Sequence, residues 1–192
     1  MTAHLKIVSL SFLLLLGLNG FAQEKTKKNT SDEAISRPPT PEEMARTLLS
    51  EAEAKKKLGK YDEALKDYDA ALEKYTELHE VYVSRASCYF LKLDFNGALA
   101  DYDRAVEVVG TEMEKFKTQA KIKKVLQDAA GEKQELDKVE KLKPILAEAY
   151  YQRGNLKQFT DDNSGCCDDL KKSKELGHLQ ADMKIKELCG GK

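Results

Sequence analysis

The chain has no tryptophan, few aromatics of any kind (7 %), and only four prolines and three histidines in 192 residues. The histidines, His4, His79 and His178, are scattered. The adjacent pair Cys166–Cys167 has no CxxC partner, so zinc-ligand spacing is missing. There is no glycine-rich phosphate loop, nucleophile elbow or HExxH segment, which removes the motif grounds for a nucleotide hydrolase, an α/β-hydrolase or a zinc protease. An excess of one charge is lacking too. Thirty-two basic residues face 33 acidic ones, for a net charge of −1. Nucleic-acid binding needs a basic footprint, and this balance does not supply one. Long apolar runs are absent: the one from Ile7 to Leu18 falls short of the roughly 20 residues that span a membrane comfortably.

What is present is alanine, leucine, lysine and glutamate, with 34 % charged residues. That mixture suits helices with one buried stripe and one wet face. At the N-terminus, Lys6, the apolar run and Gly20-Phe21-Ala22 form the pattern of a cleaved signal peptide spanning 1–22. Cleavage after Ala22 removes Lys6, takes the net charge from −1 to −2 and leaves no stable membrane span. The alternative is an uncleaved anchor. Residues 23–40, with Lys25, Lys27, Lys28 and Pro38-Pro39, read as a flexible linker.

Thr40-Pro41-Glu42-Glu43 is a helix start: Thr40 as N-cap, Pro41 at the first helical position, Glu43 closing a capping box. Two segments beyond it then superpose with a shift of 34 residues. Tyr61 falls on Phe95, Ala64 on Ala98, Tyr68 on Tyr102 and Ala71 on Ala105. A third copy lies two periods further on, with Gly154 in the place of Ala86 and with Cys166, Leu170 and Ser173 matching Ala98, Tyr102 and Ala105. Small residues permit close helix approach, and aromatics fill the gaps between neighbouring helices. Gly59 stops a helix at little conformational cost, while Leu93 at the equivalent place departs from the pattern. The stretch between is weaker. Met113, Phe116 and Ala120 are expected to face inward on one helix, Leu136 and Val139 on the next, with Pro144 ending the unit, yet Glu132 stands where alanine belongs. It reads as a degenerate repeat, or as a charged helical insertion that keeps the spacing. Leu179, Met183, Ile185 and Leu188 are expected to cover the last helix pair, because an open stack needs a cap.

These residues and this period resemble the tetratricopeptide repeat (TPR). The resemblance implies an all-α, right-handed α-solenoid of antiparallel helix pairs over 41–189. Its units would be 45–78, 79–112, degenerate 113–146 and 147–180, with a capping helix at 181–189. It also implies a concave face lined by the first helix of each unit. In register those positions are Leu49, Glu53 and Lys56, then Val83, Ser87 and Phe90, then Tyr151, Asn155 and Gln158. Some family members grip a C-terminal carboxylate with a lysine–asparagine pair on the first unit; here Leu49 and Glu53 stand there instead. The ending Gly165-Cys166-Cys167 through Cys189 is similar to that of some exported bacterial repeat proteins, which implies a Cys167–Cys189 disulfide. Cys166–Cys189 is the rival pairing, and a fully reduced set is the third option. Cys88 reads as a small core residue.

The carboxylate pairs Asp67/Asp69, Asp101/Asp103, Asp161/Asp162 and Asp168/Asp169 read mostly as solvated faces with matching lysines rather than as a catalytic dyad. The expectation is a non-enzymatic scaffold or adaptor of the cell envelope, periplasmic or secreted. It binds a peptide or helix of another protein and uses no cofactor, metal, nucleic acid or small-molecule substrate. The alternative is a self-associating structural component tethered by an uncleaved N-terminal segment.

Overall fold

The computed structural model describes residues 37–190, so the expected signal peptide and most of the linker lie outside the described residues. The described chain is helical throughout. It runs α1 (Pro41–Lys57), α2 (Tyr61–Lys74), α3 (His79–Leu91), α4 (Phe95–Val125), α5 (Ala129–Lys157), a 3-10 turn (Gln158–Thr160), α6 (Asn163–Glu175) and α7 (Ala181–Leu188). At the start of α1 the Thr40 hydroxyl accepts from the Glu43 amide, and the Glu43 carboxylate accepts from the Thr40 amide at 2.8 Å. Two otherwise orphaned amides are thereby satisfied.

The 34-residue period is visible in the backbone. Gly59, Leu93, Gln127 and Asp161 all have positive φ, at 72°, 61°, 57° and 59°. Each ends the first helix of a pair. The residue that follows starts the second, and Asp94, Asp128 and Asp162 cap it by accepting from Gly97, Gly131 and Gly165. The turn expected to differ at Leu93 therefore keeps the conformation of Gly59 and carries an exposed leucine in it. A left-handed conformation costs an L-residue roughly 1–2 kcal/mol. Leu93→Gly is expected to stabilise the domain by about 1 kcal/mol, because the relief of strain exceeds the added unfolded-state entropy. A rise in the urea midpoint at constant m would show it.

The stack itself departs from the expected succession of four pairs. The chain does not turn near 112 or 146. Instead α4 runs 31 residues and α5 runs 29, passing through Pro144, which was expected to end a unit. The physical reason is that the last pair, built from the second half of α5 and α6, packs directly on the pair formed by α3 and the first half of α4. Leu156 joins Ala86, Ala98 and Tyr102 in one core cluster. Arg153 on α5 reaches Asp103 on α4 at 2.8 Å, as Arg85 on α3 reaches Asp69 on α2 at 2.5 Å. No place remains in the stack for residues 113–142, which extend α4 and α5 into a two-helix arm. Val109, Met113, Val139, Leu142 and Leu146 fill its base, with Phe116 against them. Ala120 is buried, but Leu136 is 44 % exposed where Tyr68, Tyr102 and Leu170 are buried. Among the described residues no third layer covers the arm.

Two buried ion pairs join the helices of the stacked pairs. Arg85 holds Asp101 through both carboxylate oxygens, at 2.8 and 2.7 Å, and Arg153 holds Asp169 at 2.8 and 2.6 Å. Asp101 and Asp169 are buried, not solvated as expected. Asp69 and Asp103 are the exposed third members of each set. Gly154 is small for a reason: a Cβ there would meet the Cys166 carbonyl oxygen at 3.1 Å and Leu170 at 3.2 Å, so α5 and α6 touch backbone to backbone.

At the C-terminus α7 buries Ala181 against Tyr151, Cys166 and Leu170, with Ile185, Leu188 and Cys189 packed on that cluster. These residues share one helical face. Leu179 precedes the helix and Met183 lies on its far side; both are exposed and do not form part of the cap as expected. The Sγ atoms of Cys167 and Cys189 are 2.07 Å apart, while Cys88 and Cys166 are free and buried. Among the described residues no helix is long and apolar enough to cross a membrane.

Candidate functional site

Between α3 and α5 lies a groove of about 300 Å³. Its first wall is one face of α3: Val83, Ser87 and Phe90 at helical spacing, with Ser84 beside them. The second wall is one face of α5, with Glu148, Gln152 and Asn155, continued by Phe159 in the 3-10 turn. Lys56 from α1 stands at the rim, and Tyr102 and Leu156 form the floor.

One end is apolar. Phe90, Phe95 and Phe159 form a cluster with ring centroids 5.5 to 5.9 Å apart. Phe90 and Phe159 keep 38 % and 58 % of their surface in water, so this end is an open aromatic platform rather than a closed core. The rest is polar. Lys56 Nζ donates to Glu53 Oε1 at 2.9 Å, and the Tyr68 hydroxyl donates to the same oxygen at 2.8 Å. Burial opposes the charge on Glu53, but hydrogen bonds from Ser84, Lys56 and Tyr68 outweigh it and hold the carboxyl below its ordinary range. On the other wall, Glu148 accepts from Gln152 at 2.6 Å and meets His178 Nε2 at 2.9 Å. Burial, and then the charges of Glu148 and Asp101, push the Tyr102 hydroxyl up to about 12, so it stays a neutral donor. The Asn155 carbonyl oxygen, Oδ1, is buried with no hydrogen-bond partner.

Of the concave-face residues read from sequence, Lys56, Val83, Ser87, Phe90 and Asn155 line this groove. The other four do not. Leu49 packs on the core of the first pair. Glu53 sits behind the wall as the partner of Lys56 and Tyr68. Tyr151 is buried, stacked on His178 with centroids 4.1 Å apart, because α7 and its preceding loop close over it. Gln158 is exposed in the 3-10 turn. Sequence reasoning missed Ser84, Glu148, Gln152 and Phe159 in the walls and Tyr102 and Leu156 in the floor. The signal for Gln152 was its spacing from Asn155 on one helical face. Phe159 had none, since it lies past the end of α5. The carboxylate pairs do not converge into a dyad. Asp67 pairs with Lys55, Asp69 and Asp101 with Arg85, and Asp162 caps α6. Among the described residues no three His, Cys, Asp or Glu side chains gather as a metal site would need.

No known family profile matches the chain, and no curated protein matches it. Solved structures do. The chain is similar to the first TPR of Spaghetti (RPAP3) bound to the HSP90 peptide SRMEEVD, with a TM-score of 0.57 and 18 % identity, over 79 % of this chain and 94 % of that one. Two further matches are YrrB, described as a TPR protein with an unusual peptide-binding site (TM-score 0.33, 14 % identity, 75 % and 92 % covered), and TTC0263, a thermophilic TPR protein of Thermus thermophilus (0.33, 18 %, 76 % and 83 %). Identities this low speak for fold alone, and the first structure is the one whose TM-score bears on it. The chain is an all-α stack of antiparallel helix pairs with the tetratricopeptide-repeat fold.

Proposed function

We propose that the chain is an interaction adaptor of the cell envelope that holds an extended peptide or helix of a partner protein in the α3/α5 groove. The observation that carries this is the pairing of an open aromatic platform, Phe90 and Phe159, with the amide side chains of Gln152 and Asn155 on the same groove wall. An apolar side chain of the ligand sits on the phenyl rings, and its main chain runs along the polar wall of Gln152 and Asn155. The groove has an uncharged centre between Lys56 and Glu148, which suits a peptide main chain better than a highly charged ligand. The TPR fold supports a binding role as well, since the Spaghetti domain was solved with a peptide bound. The envelope location, periplasmic or secreted, rests on the signal-peptide pattern of residues 1–22.

The test is selection of peptide ligands from a displayed library against the full chain, followed by affinity measurement with variants. Asn155→Ala and Phe159→Ala are each expected to weaken binding about tenfold, the effect of a hot-spot residue. Their helical circular dichroism should be unchanged. A parallel isolation from the native envelope would use the Val83→Asp, Phe90→Asp variant. If that variant recovers the same partners as the natural chain, the groove is not the site. If both recover only the chain itself, a self-associating structural role takes the place of the adaptor.

A further inference from the structure

The arm that α4 and α5 form beyond Met113 plays no part in the groove. It extends about 20 Å along α4 past that residue, at 1.5 Å per residue. Its tip is apolar where water should be preferred. Ile122, Val125 and Leu126 are 53 %, 82 % and 68 % exposed. Around them lysine is in excess. Residues 115–127 hold five lysines and no acid, and continuing to 133 adds Lys133 against Asp128 and Glu132. Asp128 is already engaged, accepting from the Gly131 amide and lying 3.1 Å from Lys123 Nζ. Lys121, Lys124 and Lys133 have no ion-pair partner among the described residues. The turn's own amides are satisfied, with Leu126 donating to Ile122, Gln127 to Lys124 and Asp128 to Lys123. A tip can leave water cheaply only when its backbone is satisfied in this way.

We propose that this tip is a wedge that docks the domain on an anionic lipid surface. Ile122, Val125 and Leu126 enter the boundary between headgroups and acyl chains, while the lysines stay at headgroup depth and meet lipid phosphates. Such a wedge needs apolar area and positive charge together, and the tip has both. A protein partner is the poorer fit, because a stable interface covers about 800 Å² on each side and the end of a two-helix hairpin is narrow and convex.

The absence of tryptophan makes the test direct, since a single tryptophan reports on the tip alone, whatever residues 1–22 do at a membrane. Full-length Val125→Trp is mixed with vesicles of pure phosphatidylcholine or of equimolar phosphatidylcholine and phosphatidylglycerol. The emission should shift to the blue, and quenching by acrylamide should fall, with the anionic vesicles only. Adding Lys121→Glu and Lys124→Glu should raise the lipid concentration needed for the shift about 30-fold, from two contacts worth about 1 kcal/mol each. Adding Ile122→Ser and Leu126→Ser should abolish the shift. All these residues are exposed, so folding is not at stake and circular dichroism would verify it. A tryptophan that stays in water with both vesicles overturns the proposal, as does an equal shift with neutral lipid. A shift with polyglutamate but not with vesicles also overturns it, and gives the tip to an acidic protein.

Discussion

Replacing Arg85 with alanine is expected to destabilise the domain by about 3–5 kcal/mol, the cost of leaving a buried charge without its partner. The partner left behind is Asp101, 5 % exposed, whose two oxygens both accept from Arg85 and which has no second cation among the described residues. The corresponding loss at Arg153 should be milder, because Asp169 keeps Lys157 at 3.0 Å. Comparing the two urea midpoints separates a buried-charge effect from a generic loss of arginine packing. A second signature lies in pH. Burial pushes the Asp101 carboxyl up, against the opposing pull of Arg85; remove Arg85 and only the upward push remains. A carboxyl with a higher pKa folded than unfolded takes up a proton on folding, so that contribution to stability is present in acid and lost as pH rises. The deficit of Arg85→Ala should therefore be smaller near pH ~5 than near pH ~8. Replacing the pair together, Arg85→Met with Asp101→Leu, should recover most of the loss. Equal deficits at both arginines, independent of pH, would mean that packing dominates.

The two buried Arg–Asp pairs have a signature in the chain. Arg85 and Arg153 are 68 residues apart, as are Asp101 and Asp169, and this is the same two-period shift that aligns Ala86 with Gly154. At one period the places are taken by Gln119 and Glu135, and Glu135 turns to Lys138 on its own helix, 2.9 Å away. The loss of the arginine is therefore a local sign that residues 113–142 do not stack. Apolar periodicity could not reveal this. Met113, Phe116 and Ala120 face a partner helix equally well in a stacked pair or in an arm, and only Leu136 differs. The fold class followed from small residues and turns at a fixed interval, which are local requirements. The groove was half legible for the same reason. Helical register placed Lys56, Val83, Ser87, Phe90 and Asn155 on the faces that line the groove. Register is silent on what a later element covers, and it is α7 and the loop before it that bury Tyr151 under His178. It is equally silent on Phe159, whose place depends on how a 3-10 turn ends a helix.

The remaining large effect belongs to the Cys167–Cys189 link. It ties α6 to the end of α7 across a sequence separation of 22 residues, a loop whose closure stabilises by about 3 kcal/mol through the unfolded chain. The eight-residue α7 depends on it, since on its own it buries only Ala181 fully and leaves Met183 in water. An isolated helix of that length is unstable, so packing and the link must hold it. Cys167→Ser, Cys189→Ser and the double variant should all lose the same amount, because each removes one and the same bond. Dithiothreitol should lower the melting temperature of the natural chain to theirs and leave the double variant unmoved. Thiol titration under denaturing, non-reducing conditions should find two thiols, from Cys88 and Cys166. Cys166→Ala should keep the link, which distinguishes this pairing from a Cys166–Cys189 alternative. When α7 is released, Tyr151 loses its cover and His178 its seat, and the effect should travel along α5 to Glu148, the groove residue that His178 touches at 2.9 Å. A peptide bound in the groove should therefore dissociate faster after reduction, although the two cysteines are nowhere among its lining residues. An unchanged dissociation rate, with the expected loss of stability, would show that the cap and the groove are energetically separate.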